Sequence, residues 1–244
     1  MRPSRFFIAA ALAVSSAFAA DLSAENLPQS RPALIGSGPG SLVNLIDAQA
    51  LFQGGQRDAW VMFECAVLGD GIVRGSDFFT ASPDSRLLKN EVRKRLRQAR
   101  FVPAVYNHKR TWSWFAGTVL FAVKDGRPHL RIYAHQDLDE IKRGTDFVAP
   151  QLIDVPTNYY MNFPKVPTTA VRDDAAGVVK VRHSVDANGK TTNVEVISEP
   201  AGSQTGEYLK KVLPRLDFTP GYRNGRPTAS TYTFTWWFGR TVGW

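Results

Sequence analysis

Trp60-Val-Met-Phe-Glu-Cys-Ala-Val67, with Asp70-Gly71 just behind it, is the stretch on which the fold turns, because the chain contains its pattern twice. Val178-Val-Lys-Val-Arg-His-Ser-Val185 lies 118 positions further on, and Asn188-Gly189 stands where Asp70-Gly71 stood. An Asp-Gly or Asn-Gly pair between strand-like runs is the strongest short signal for a β-hairpin, since the turn needs residues that tolerate positive φ. Each turn leads into a second strand-like run, Ile72 to Thr80 and Thr191 to Ser198, and then into a basic amphipathic stretch. The offset then becomes 117. Phe101-Val-Pro103-Ala104 meets Phe218-Thr-Pro220-Gly221, Asn107-His-Lys meets Asn224-Gly-Arg, and Thr111 to Phe121 meets Thr228 to Phe238. Each unit therefore reads as strand, turn, strand, helix, turn, strand.

Periodicity assigns the faces. Val61, Phe63, Cys65 and Val67 alternate onto one side of the first strand, as do Val179, Val181, His183 and Val185 in the second unit. Cys65 and His183 share a position, so both are read as strand residues of a core rather than as chemistry. In the helices Leu88, Val92 and Leu96, and then Leu209 and Leu213, recur every four residues and give one apolar stripe each. The opposite face of the first helix carries a basic patch, Lys89, Arg93, Arg97 and Arg100, with Arg86, Lys94 and Arg95 beside it. Pro214 is expected to kink or end the second helix.

The expected class is α+β, with two tandem units, each a three-stranded antiparallel sheet packed on a helix, the simplest way to bury a strand face and a helix stripe together. The expected domains are a signal peptide at 1–19, a flexible leader at 20–39, a first unit at 40–136, a linker at 137–157 and a second unit at 158–244. The glycines and proline of Gly36-Ser-Gly-Pro-Gly40 mark the leader, and Gly144, Pro150 and Pro156 mark the linker. An extra strand in the first unit, Leu130 to Ala134, is suggested by the turn Lys124-Asp-Gly-Arg-Pro128.

Composition sets the class of molecule. The chain has 244 residues, 43% hydrophobic and 11% aromatic, with 30 Lys plus Arg against 22 Asp plus Glu. That balance excludes a mostly disordered or fibrous chain. One cysteine excludes an intrachain disulfide and a Cys-clustered zinc site. Arg2 and Arg5, the apolar run Phe6 to Val14 and the small residues of Ala17-Phe18-Ala19 have the order of a secretory signal, with cleavage expected after Ala19 and a periplasmic destination. The apolar segment is shorter than the about 20 residues that span a bilayer. Removing Arg2 and Arg5 leaves 28 basic residues against 22 acidic ones, a surplus that suits anionic envelope surfaces or acidic protein patches. Export argues against nucleic acid as a partner.

No nucleophile elbow, phosphate loop or His-Glu-x-x-His is found, and His108, His129, His135 and His183 lie in separate elements. Asp173-Asp174 reads as solvated. No enzymatic activity, cofactor or metal is expected.

The second unit resembles the C-terminal domain of TonB, the periplasmic arm of the energy-transducing complex of Gram-negative envelopes. The pattern runs from Asn162-Phe-Pro, akin to a Tyr-Pro pair in that family, through Ala176-Gly-Val-Val-Lys-Val, Val185-x-x-Asn-Gly and Val194-x-Val-Ile-Ser198. It continues through the helix Tyr208 to Leu216, then Phe218-Thr-Pro220, Asn224-Gly-Arg-Pro227 and the last strand, about 80 residues in all. The first unit resembles it more loosely. A TonB-type membrane anchor and long Pro-rich spacer are not read in this sequence. The resemblance implies a protein-binding module, linked to TonB-dependent transduction across the outer membrane, that takes up an extended peptide as an added strand. An envelope structural or adaptor protein without transport coupling is the alternative. Edge-strand candidates are Thr228 to Phe238 and Thr111 to Phe121. In the former, Thr231, Thr233, Thr235 and Trp237 are the expected partner-binding residues. Expected partners are an outer-membrane transporter or another envelope protein, with a second copy of the chain as an alternative.

Overall fold

The computed structural model describes residues 26–153, 177–200 and 205–238. The expected signal segment, Asn162-Phe-Pro and Asp173-Asp174 lie outside the described residues. In the first half, β1 (Ser30–Arg31), α1 (Leu42–Leu45) and α2 (Ala48–Gln53) precede the hairpin of β2 (Ala59–Val67) and β3 (Val73–Ala81). Then come α3 (Arg86–Leu96), β4 (Ala104–Tyr106), β5 (Lys109–Thr111), β6 (Ser113–Lys124) and β7 (Arg127–Tyr133). The crossing to the second half holds α4 (Leu138–Arg143), β8 (Phe147–Val148) and β9 (Gln151–Leu152). The second half has β10 (Gly177–Val185), β11 (Thr191–Ser198), α5 (Thr205–Val212), β12 (Phe218–Thr219), β13 (Gly221–Arg223), β14 (Arg226–Thr228) and β15 (Ser230–Phe238). The class is mixed α and β, with mostly antiparallel strands and few helices.

The first large sheet has four strands, in the order β3-β2-β6-β7, the three of the basic unit and the extra one that the turn Lys124–Pro128 suggested. The extra strand is built by Asp125 and Gly126, both at positive φ (51° and 70°), which turn the chain back so that Arg127–Tyr133 runs antiparallel along β6. The expectation that Thr111 to Phe121 offers an open edge is thereby corrected. β6 is an inner strand, bonded to β2 on one side and β7 on the other.

α3 lies on this sheet as its stripe requires. Leu88, Val92 and Leu96 are fully buried against Val61, Phe63, Cys65 and Val67, in a core that also takes Phe115, Val119 and Phe121. Each such side chain contributes about 1.5–3 kcal/mol of burial. The helix start is held from a distance. Ser85 at the N-cap makes no side-chain cap bond, while Gln56 Oε1 accepts from the Leu88 N–H at 2.9 Å. In the second half the order is β11-β10-β15, with Leu209 of α5 and Leu213 closing the core over Val179, Val181 and Val185. Pro214 does end the helix, since α5 stops at Val212 and a single 3₁₀ turn, Leu213–Arg215, follows.

Short extended segments tie each half together. β1 pairs with β4, Ser30 opposite Tyr106 and Arg31 opposite Val105. The same pairing recurs 117 positions further on, Phe147 opposite Arg223 and Val148 opposite Tyr222. β9 pairs with β12. Parts of the expected leader and linker are thus taken up in strands, and Leu27 and Ala33 are buried.

Gln151 is the joint between the halves. Its Oε1 accepts from Ala33 N–H (2.8 Å) and from Ser113 Oγ (2.9 Å), while its Nε2 donates to Ala33 C=O at 3.0 Å. The side chain thereby pairs with one buried peptide unit as a strand would. Replacing it with Ala leaves a buried N–H and a buried C=O without partners, so Gln151→Ala is expected to cost about 3 kcal/mol. A shift of the urea midpoint with an unchanged slope would show it. Another tie is Arg223 of β13, which forks onto Glu140 of α4 at 3.2 and 3.1 Å and lies over the Phe147 ring. Those hydrogen bonds, then that from Thr145, hold the Glu140 carboxyl down to about 2.

Candidate functional site

β15 reads Ser-Thr-Tyr-Thr-Phe-Thr-Trp-Trp-Phe, β-branched or aromatic at every position after Ser230, which favours the extended state. On one side it is bonded to β10 in unbroken register, from Gly177 opposite Phe238 to Val185 opposite Ser230. On its other side no strand pairs with it among the described residues. Among the described residues it is therefore a sheet edge, whose outer N–H and C=O groups are the kind of template onto which a further strand can add.

Register settles what that edge presents. Directly opposed residues share a face. Thr231 faces Ser184, Thr233 faces Arg182, Thr235 faces Lys180 and Trp237 faces Val178. The side chains of Thr235 and Trp237 lie outside the described ones. Thr231 Oγ1 and Ser184 Oγ are 2.8 Å apart, and Arg182 continues the polar face through an ion pair to Glu195 at 2.9 Å. Tyr232 belongs to the opposite, core-facing side with His183.

His183 makes the reason for its place visible. It is fully buried, its Nε2 is 2.7 Å from Thr191 Oγ1, its Nδ1 is 3.1 Å from Tyr232 Oη, and its ring meets Phe218 edge-on. Burial lowers its pKa to about 4, so it is a neutral, satisfied core residue at neutral pH. Cys65, at the matching position, is buried in the first core, and burial first, with the Glu64 charge second, raises its thiol pKa far above reactivity.

Beside the edge lies a cleft between the two halves, about 430 Å³ in volume. Trp60 and Met62 of the first half form one wall, Arg182, Thr231 and Thr233 the other, and Asp137 sits at its margin. Next to it β2 is buried on its second face as well. Met62, Glu64 and Ala66, on the side of β2 away from α3, are only 8%, 4% and 6% exposed. The chain crosses this face after β7, where Thr118 Oγ1 donates to His135 C=O and Gln136 Nε2 to Phe63 C=O. Trp114 of β6 also packs here against the second core. Glu64 accepts from Trp114 Nε1 at 2.7 Å. Among the described residues no cation forms an ion pair with it, and desolvation raises its pKa to about 8, with Asp77 opposite adding to the shift. Sequence reading missed this residue.

The basic patch is on a different surface. Arg93, Lys94 and Arg97 stand exposed on α3 around a shallow concavity with Asn90 and Gln98. Lys89 Nζ and the Arg93 guanidinium lie 5.9 and 5.0 Å from the Phe78 ring centre. Arg100, also exposed, follows the helix at the bridge to Ile72.

The open edge falls within a recognised domain. Residues 163–239 match the family model of the Gram-negative bacterial TonB protein C-terminal. The C-terminal part of this chain therefore carries a TonB-like domain, of an envelope family, and β15 is its last described strand. No curated protein and no solved structure matches the chain. No helix among the described residues is long and apolar enough to cross a membrane, and no cluster of three or more His, Cys, Asp or Glu there could hold a metal ion.

Proposed function

We propose that this chain is a periplasmic, non-enzymatic protein-binding module that takes an extended segment of an envelope protein onto β15 as an added strand, in the service of TonB-dependent transport. The observation that carries this reading is the side of β15 that no strand pairs among the described residues, inside the stretch that matches the TonB C-terminal family. Main-chain hydrogen bonds along such an edge give affinity, and alternate side-chain positions give selectivity. The first half supports it by contrast. There β6, the strand matching β15 in sequence, has its edge filled by β7 from the same chain. The repeated pairing of β1 with β4 and β8 with β13 supports a tandem of two TonB-like units, in the first of which the strand matching β15 is paired on both sides.

A photo-reactive residue at Thr233, in intact cells, tests the reading. Recovery of the N-terminal segment of an outer-membrane receptor is expected. Capture only of a second copy of the chain would overturn it. An adaptor role without transport coupling is favoured by one observation, the placement of Trp60 and Met62 beside Thr231 and Thr233. Capture of an envelope protein that is not a transporter would select it.

A further inference from the structure

We propose that the outer face of α3 docks the chain onto a membrane surface rich in anionic, phosphate-bearing lipid headgroups. The inference stands apart from the peptide-binding reading, since α3 and β15 belong to different halves.

The two sheet-packed helices act as controls for each other. α3 and α5 bury the same kind of stripe, Leu88, Val92 and Leu96 in one and Leu209 with the following Leu213 in the other. Packing therefore asks nothing of their outer faces, and these differ. α5 offers Lys210 and Lys211, and Lys210 is paired with Glu207 at 2.7 Å. α3 exposes Arg86, Arg93, Lys94 and Arg97, with Arg100 just beyond it. Among the described residues its one ion pair is Arg95–Glu91, so no carboxylate neutralises the exposed stripe. Such a stripe carries a self-repulsion that folding of the helix does not need.

The chemistry of the face selects its partner. A protein interface needs a desolvated centre of aromatic or apolar anchors. The α3 face has one exposed apolar side chain, Leu87 at 37%, and its nearest aromatic ring, Phe78, lies under Lys89 and Arg93. A row of exposed charges with no apolar centre suits a diffuse polyanion that needs charge and no shape match. An anionic headgroup layer is that partner, each Lys or Arg near it being worth roughly a fivefold gain in partition.

Co-sedimentation of the full chain with phosphatidylcholine vesicles, with and without phosphatidylglycerol, is the test. Binding only to the anionic vesicles, weakening as salt is added, is expected. The triple variant Arg93→Gln, Lys94→Gln, Arg97→Gln should lose roughly a hundredfold in partition. A variant of equal charge change in the second half, Lys210→Gln, Lys211→Gln, Arg215→Gln, should retain it. Arg93→Lys with Arg97→Lys should bind as the wild type does, which separates loss of charge from loss of fold. Equal loss in both triple variants would reduce the effect to net charge and overturn the assignment. So would equal binding to neutral vesicles, or displacement by inorganic phosphate or an acidic peptide at matched ionic strength.

Discussion

At pH 8 the Glu64→Gln variant is expected to be more stable than the wild type by about 4 kcal/mol, and the difference should vanish below pH 4.5. Glu64 titrates near 4.5 when free and at about 8 in the fold, because burial between the halves disfavours its charge. The folded state therefore binds a proton that the unfolded state has already released. Stability is complete below the free value and falls as pH rises through the folded one. The groups that face this carboxyl do not rescue its charge. Asp77 opposes it from β3, Trp114 donates a single hydrogen bond from β6, and the Tyr232 phenol of β15 lies within its field. Gln keeps the acceptor for Trp114 Nε1 and removes the charge. Urea midpoints across this pH range would read the effect, and a wild-type stability independent of pH there would refute it. His183 works in the other direction. Its pKa is lowered to about 4 by burial, so its contribution is present above its free value of 6.5 and is lost as pH falls.

Gly189→Ala is expected to cost at least about 3 kcal/mol, and Gly71→Ala the same. Both glycines sit at positive φ, 84° and 80°, and in both a Cβ would overlap a backbone carbonyl oxygen, that of Phe218 or of Phe101. The Phe101 N–H donates to Gly71 C=O at 2.9 Å, so the hairpin tip and the strand after the helix are held face to face. Neither can yield without breaking that contact. Gly126 separates strain from overlap. It has φ 70° with nothing within 4 Å of the added carbon, so Gly126→Ala should cost only the left-handed strain, about 1 kcal/mol. Equal costs at all three glycines, measured by denaturant unfolding, would mean that the carbonyl contact contributes nothing.

These glycines were the most legible part of the chain. Asp70-Gly71 and Asn188-Gly189 announce their turns, and Phe101-Val-Pro103 and Phe218-Thr-Pro220 announce the strands that press on them. The register of β15 follows the alternation of Thr231 and Thr233 with Tyr232, so the outward face of the candidate edge was readable as well. The openness of that edge was not. Thr111 to Phe121 looked as exposed as Thr228 to Phe238, yet among the described residues it is the first half alone in which a following strand, β7, covers the place.

The sequence by itself determined what depends on near neighbours along the chain. It specified the two hairpins, the apolar stripes of α3 and α5, the stop at Pro214 and the TonB-like pattern of the C-terminal part, because turn chemistry and periodicity act over a few residues. Tertiary structure alone decided the rest. β1, β8 and β9 are two residues each, too short to carry a period, and exist because distant strands offer them partners. Met62, Glu64 and Ala66 share the face of β2 away from α3, and are buried because the chain folds back across them and the second half closes over the sheet. Alternation tells which residues share a side of a strand. Whether water or protein lies on that side is settled by segments far away in sequence, and here that choice placed a carboxyl between the halves.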